Sequence, residues 1–331
     1  MLSQRRYAVK ASPLTRTPLT PAIAVNRLSK RYRERVALAE LSFTVAPGEI
    51  VGLLGPNGAG KSTTLGILAT LLSFDEGTVS IGGHTLPGEA AAARRLLGHV
   101  PQQVALYPAL TATENLHFFA RVQGVARRDT LAAVGHALEL IGLADRAHEP
   151  VSQLSIGMRR RLNLAAGILA GPGVVLLDEP TVGVDPQSRE RVFAVVLGLA
   201  RDGAAVLYST HQIDEAERLC DRILLIDHGQ LLAAGTPIAL VADTGLQPQI
   251  RLRTARPLPE SWLGGVTGAA LLASDAQLTK VAVRDATVVP AVLSAAVRGG
   301  GEVIEFALTR PNLNDAFFAF TGHALRDDAP D

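Results

Sequence analysis

Cysteine is all but missing from this 331-residue sequence, where Cys220 stands alone. One thiol forms no intrachain disulfide, and without a CxxC pair or a Cys/His cluster a cysteine-built zinc site is excluded. A reducing compartment, the cytoplasm, is the expected location. Neither charge sign dominates, since 32 Lys and Arg against 31 Asp and Glu leave a net charge of +1. That balance lacks the basic footprint of a nucleic-acid binder, so no nucleic acid is expected as a partner. Long apolar runs are absent too. A membrane-spanning helix needs about 20 apolar residues, whereas the best stretch, Ala165 to Leu177, is broken by Gly167, Gly171, Pro172 and Gly173. The chain is not expected to cross a bilayer by itself.

What is present is a hydrophobic fraction of 47% with 19% charged residues, enough to bury a sizeable core. The length favours two domains. Residues 1–21 carry Arg5, Arg6, Lys10 and Arg16 with no acid. No apolar segment follows the arginine pair as a secretion signal would require, so a flexible basic tail is expected.

From near Ile23 the pattern becomes regular. Strand-like runs at Leu41–Val45, Glu49–Leu54, Leu97–Val100, Val174–Asp178, Ala205–Ser209 and Arg222–Ile226 alternate with helical stretches at Ser62–Leu72 and Gln187–Ala200. Such alternation predicts an α/β fold with a mainly parallel sheet. Over roughly residues 107–169 the strand signal gives way to helices, including Thr111–Val122 and Thr130–Ile141, which reads as a helical insertion. After about residue 245 short strands at Gln249–Thr254, Leu278–Val283 and Glu302–Leu308, with helices at Val289–Val297 and Asn314–Thr321, predict a small α/β accessory domain over 246–331.

The sharpest motif is Gly55-Pro56-Asn57-Gly58-Ala59-Gly60-Lys61-Ser62-Thr63, a G-x-x-x-x-G-K-[ST] run between a predicted strand and helix. Glycines at 55, 58 and 60 allow positive φ and turn successive N–H groups inward, and the helix start adds partial positive charge. Together these hold a polyphosphate. Lys61 is expected to reach the β and γ phosphates, and the Ser62 hydroxyl to ligate Mg2+. Lysine occurs elsewhere only at Lys10, Lys30 and Lys280, and an arginine fork is too broad for this place.

The second element, Val174-Val175-Leu176-Leu177-Asp178-Glu179, ends a buried strand in adjacent carboxylates. Asp178 is placed to hold Mg2+, commonly through water, and Glu179 to polarise the water that attacks the γ phosphate.

With these motifs in order the sequence resembles the ATP-binding subunit of an ABC transporter over about Ala22–Gly235, which implies an ABC nucleotide-binding domain over 22–245 with a small antiparallel β part. The resemblance implies that Tyr32 stacks on adenine and that Gln102 touches Mg2+ and the membrane partner. It further implies that Leu154-Ser155-Ile156-Gly157-Met158 is the family signature, that Asp185 belongs to the loop after the acidic strand, and that His211 is the switch histidine. Ser155 and Gly157 open a helix whose Met158, Leu162, Ala165, Ala166 and Leu169 form an apolar face, so its start presents a second anion surface. In the family that surface closes on ATP held by another protomer, which implies a dimer, expected here as a homodimer. Ile156 stands where glycine is usual.

The run Gly157-Met158-Arg159-Arg160-Arg161-Leu162 is similar to the ATPases of drug, nodulation-factor and sodium exporters. The implied function is Mg-ATP hydrolysis driving a separate membrane permease that exports a drug-like or amphipathic compound, with the chain peripheral on the inner membrane face. A soluble ATPase acting on ribosomes or DNA, and a non-hydrolysing regulatory subunit, are the alternatives. Near the C-terminus Leu313, Ala316, Phe317 and Phe320 fall on one helical face, either as core or as contact with another protomer or the membrane subunit.

Overall fold

The computed structural model describes residues 20–275 and 277–322. The expected basic tail lies outside them but for its last two residues. In chain order the fold begins with β1 (Ile23–Tyr32), β2 (Arg35–Val45), β3 (Ile50–Leu54), α1 (Lys61–Leu68), β4 (Glu76–Ile81), β5 (His84–Leu86), α2 (Ala90–Arg94) and β6 (Leu97–Val100). It continues with α3 (Ala112–Val122), α4 (Thr130–Leu140), α5 (Ile156–Ile168), β7 (Val174–Asp178), α6 (Pro186–Arg201), β8 (Ala205–Thr210), α7 (Ile213–Leu219), β9 (Arg222–Asp227), β10 (Gln230–Gly235) and α8 (Pro237–Asp243). The remainder forms β11 (Gln249–Thr254), β12 (Ala269–Ser274), β13 (Leu278–Val283), α9 (Val289–Arg298), β14 (Val303–Thr309) and α10 (Leu313–Thr321).

A six-stranded sheet of order β10-β9-β3-β8-β7-β6 forms the centre, parallel except at its β10 edge. Its inner strands β3, β7 and β8 are buried at every position, as expected of strands covered on both faces. A smaller antiparallel sheet, β2-β1-β4-β5, packs over one face with α1 between the two. On the opposite face lie α6, α7, α8 and α10. Helices α3, α4 and α5 bury a core of their own around Leu116, Leu138, Ile141 and Leu162. The fold is therefore α/β with a mainly parallel sheet, an antiparallel β part and a helical insertion.

The helix after the phosphate-loop motif is shorter than Ser62–Leu72. It ends at Leu68, where Thr70 takes φ 60° and the Leu71 and Leu72 N–H groups both bond back to the Gly66 carbonyl. The strand read at Leu41–Val45 is the end of the longer β2, whose hairpin with β1 closes at Tyr32 opposite Arg35. Beyond residue 248 an antiparallel sheet of order β12-β13-β11-β14 carries α9 and Trp262 on a separate core. The last helix, α10, belongs elsewhere: it packs on α7, α8 and β10, with Leu313, Ala316 and Phe317 fully buried in the core of the central sheet. Of the two places open to that apolar face, the core is the one it occupies.

Candidate active site

The loop between β3 and α1 crosses the end of the central sheet as a tight turn. Gly58 and Gly60 take φ of 81° and 105°, a region other residues enter only under strain. Gly55 does not share that conformation. It is required by proximity instead, because a Cβ there would lie 2.2 Å from the Ile226 carbonyl oxygen. Lys61, the first residue of α1, folds back so that its Nζ donates to the Gly55 oxygen at 2.7 Å and the Pro56 oxygen at 3.1 Å.

A cleft of about 430 Å³ opens above this loop, lined by Tyr32, Arg35, Ala37, Pro56, Asn57, Gly58, Gly60, Lys61, Ser62, Thr63, Gln102 and Glu179. Among the residues expected from sequence, Ala59 is buried beneath the turn, where its N–H bonds to Pro56 and its carbonyl accepts from Gly229. Tyr32 is 43% exposed at the cleft rim, with the Lys30 ammonium 5.6 Å from its ring centroid. Arg35 went unnoticed in the sequence. It sits at the β1–β2 hairpin that also delivers Tyr32.

Opposite the loop, β7 and β8 end side by side and bring the acids in. The Ser209 hydroxyl donates to Asp178 Oδ1 at 2.7 Å and accepts from the Glu179 N–H at 3.0 Å. Glu179 itself has φ 45°, which turns its side chain away from the strand direction. Its Oε1 lies 3.1 Å from Lys61 Nζ, while Oε2 meets His211 Nδ1 at 3.1 Å and accepts from Gln102 Nε2 at 3.2 Å. Burial pushes the Glu179 carboxyl up; the His211 hydrogen bond and the Lys61 charge more than offset this and hold it below the ordinary value. Gln102 is in turn fixed by Arg160 of α5, whose guanidinium donates to the Gln102 carbonyl. Ser209 and Arg160 were not singled out from sequence. Polar Ser209 after the apolar run Ala205–Tyr208 was the available signal.

Ser155, Gly157 and Asp185 do not line this cleft. Ser155 caps α5 by accepting from the Met158 N–H at 3.2 Å, and Asp185 caps α6 by accepting from the Ser188 N–H at 2.9 Å. The two helix starts abut: a Cβ on Gly157 would lie 2.6 Å from both Asp185 Oδ2 and Ser188 Oγ. Beside them Ile156 points outward, 56% exposed. This helix start is separate from the Lys61 cleft.

Oxygen donors of the kind a hard divalent cation prefers are present: Ser62 and Gln102 line the cleft, and the buried Asp178 carboxyl, bonded to Ser209, ends β7 one residue before Glu179. Among the described residues, no cluster of three or more His, Cys, Asp or Glu side chains could hold a metal unaided. The donor set fits Mg2+, which commonly takes its remaining ligands from phosphate and water. Among the described residues no helix is long and apolar enough to cross a membrane.

Residues 38–182 match the family model described as ABC transporter. The linearmycin resistance ATP-binding protein LnrL of Bacillus subtilis is 35% identical over 92% of this chain and 100% of its own length. The daunorubicin resistance ATP-binding protein DrrA3 of Streptomyces coeruleorubidus is 39% identical over 92% of this chain and 97% of its own. Among solved structures, the ATP-binding subunit of an ABC transporter superposes with a TM-score of 0.63 at 30% identity, covering 68% of this chain and 93% of that one. A dimeric ATP-binding cassette in a post-hydrolysis state, bound to ADP and Pi, superposes with a TM-score of 0.60 at 27% identity over 65% of this chain and 98% of that one.

Proposed function

Since this chain belongs to the ABC transporter family as an ATP-binding subunit, we propose that it hydrolyses Mg-ATP in a homodimer and drives a separate integral membrane permease. Its resistance-protein relatives support export of a drug-like or amphipathic compound. The observation that carries the reading is the convergence on Glu179 of Lys61, Gln102 and His211, directly over the phosphate loop.

In this reading the loop N–H groups and Lys61 bind the β and γ phosphates, and Tyr32 stacks on adenine. Ser62, Gln102 and Asp178 would hold Mg2+, which neutralises charge on the phosphates. Glu179, ionised at neutral pH, accepts the proton of the attacking water, and His211 holds that carboxylate in place. Ser155, Gly157 and Asp185 face the ATP of the partner protomer, so closure of the dimer completes each site. Gln102, at once on the cleft wall and tied to α5, carries the closure to the helical insertion where the permease docks.

The test is to isolate the membrane protein that co-purifies with the chain, reconstitute the two together, and follow phosphate release and export in vesicles. ATP-dependent accumulation of daunorubicin or linearmycin, abolished in Glu179→Gln, is the expected result. Absence of phosphate release from the intact complex would sink the reading.

A further inference from the structure

Behind the cleft, α7 places an acid where packing alone calls for none. Glu215 is 1% exposed, surrounded by the apolar cluster of the central sheet and its helices. Its Oε2 accepts from Tyr208 Oη at 3.0 Å and from Thr210 Oγ1 at 2.9 Å. Its Oε1 lies 3.4 Å from Arg189 Nε, an ion pair in which neither atom makes a hydrogen bond. Tyr208, Thr210 and Thr181 are as deeply buried as the acid. A buried polar group costs free energy unless satisfied, and a satisfied network fixes geometry more sharply than apolar packing does.

The partners of Glu215 are the neighbours of the active-site residues. Thr210 immediately precedes His211, and its Oγ1 also accepts from the Gln212 N–H at 2.9 Å, so the hydroxyl clamps both sides of the histidine. Tyr208 Oη, whose proton goes to Glu215, accepts at 3.1 Å from the hydroxyl of Thr181, on the turn that leaves Glu179, and the Thr181 carbonyl accepts from Val184 N–H beside Asp185. Arg189 stands one turn into α6, its N–H bonded to the Asp185 carbonyl at 3.0 Å. One carboxyl thus touches the anchors of three segments: the His211 loop, the turn after Glu179 and the helix that Asp185 caps.

We infer that Glu215 is a positioning residue, whose buried carboxyl locks the His211 loop, the Glu179 turn and the Asp185 helix start into one body. The inference rests on the ATPase reading above. Glu215 has no contact with the Lys61 cleft, so the hydrolytic step depends on it while the seating of nucleotide on the phosphate loop does not. Thr210 and Tyr208 act through the same carboxyl.

The experiment compares Glu215→Gln, Thr210→Val and Thr210→Ser in the full chain with its membrane partner. Small displacements of a catalytic group cost about tenfold or more. Glu215→Gln and Thr210→Val are therefore expected to lower kcat about tenfold, with KM and Kd for ATP within about twofold of the parent. Thr210→Ser, which keeps the hydroxyl, brings kcat back, and the double variant Glu215→Gln/Thr210→Val is no slower than the slower single one. Parental kcat in both variants, a parallel rise in KM, or losses that multiply would each overturn the inference and leave the ATPase reading standing. Should Glu215→Gln fail to fold, the Thr210 pair decides. Should the parent complex not hydrolyse ATP, the function fails first, and the nitrogen-15 signals of the His211 imidazole judge the positioning role: they shift in Thr210→Val and hold in Thr210→Ser, and unmoved signals in both overturn it.

Discussion

The Lys61 ammonium and the Glu179 carboxylate meet at 3.1 Å with both side chains almost wholly buried. The cation expected to grip phosphate thus faces the group proposed to activate water. A triphosphate seated in the loop competes with Glu179 for that ammonium and leaves the carboxylate to Gln102 and His211.

Glu179→Gln keeps the shape and removes the basicity. ATP affinity should stay within a few-fold of the parent, while kcat falls by about 10² to 10⁴, the range for loss of a general base. Single-turnover phosphate release measures this, and parental turnover would exclude Glu179 as the base.

Lys61→Ala removes a cation whose charged hydrogen bonds to phosphate contribute about 1.5–3 kcal/mol each. With two such bonds lost, Kd for ATP should rise about a hundredfold or more. Calorimetric titration reads it directly, and unchanged affinity would place the phosphates elsewhere.

Glu179 also links stability to pH. Its carboxyl lies below the ordinary 4.5 in the native state, because the contacts from His211 and Lys61 outweigh burial. The stability so gained is present in full above pH 4.5 and is lost as pH falls through the lower native value. Urea titrations between about pH 7 and about pH 3 should therefore decline less steeply for Glu179→Gln than for the parent. Equal slopes would show that the carboxylate contributes nothing there.

Gly157→Ala drives a methyl group into Asp185 Oδ2 and Ser188 Oγ, each 2.6 Å from the added carbon. The α6 cap should loosen, at a cost of about 1 kcal/mol, and the two helix starts should part. A lowered thermal midpoint together with lost dimerisation on ATP is the expected pair of results. A variant with parental values in both would mean that the helices absorb the methyl group without moving.

Phe317→Ala empties a fully buried ring position between α10 and the central sheet. Such truncations cost about 3–5 kcal/mol. The urea midpoint of the cassette should fall accordingly. A loss confined to residues beyond 245 would contradict the packing described.

The phosphate loop and the acidic strand were legible because their chemistry is local: Gly58, Gly60, Lys61, Asp178 and Glu179 lie within two short runs whose strand context is written in continuous apolar residues. The helix overran to Leu72 because Leu71 and Leu72 continue an apolar pattern, whereas the chain turns at Thr70 to return two N–H groups to Gly66. The roles of Arg35, Ser209 and Arg160 were not legible for a different reason. Each matters through a partner distant in sequence: the loop for Arg35, Asp178 for Ser209 and Gln102 for Arg160. Spacing within one segment carries no trace of such pairings. Periodicity marks the α10 face as apolar but not what covers it, so core and protein contact both stayed open in the sequence, and it is the fold that buries Leu313, Ala316 and Phe317 against the central sheet.

The path of the chain around the C-terminal sheet bears on how that sheet can be studied. The backbone departs from α8 and comes home at α10, where the Leu313 N–H is hydrogen-bonded at 3.0 Å to Glu217 of α7. The sheet is therefore a handle fastened at both ends, and trimming the polypeptide after residue 245 would tear Phe317 from the ATPase body along with it. Only an excision that spares α10, joining α8 to it through a short splice, would separate what the handle does from the wound its removal leaves.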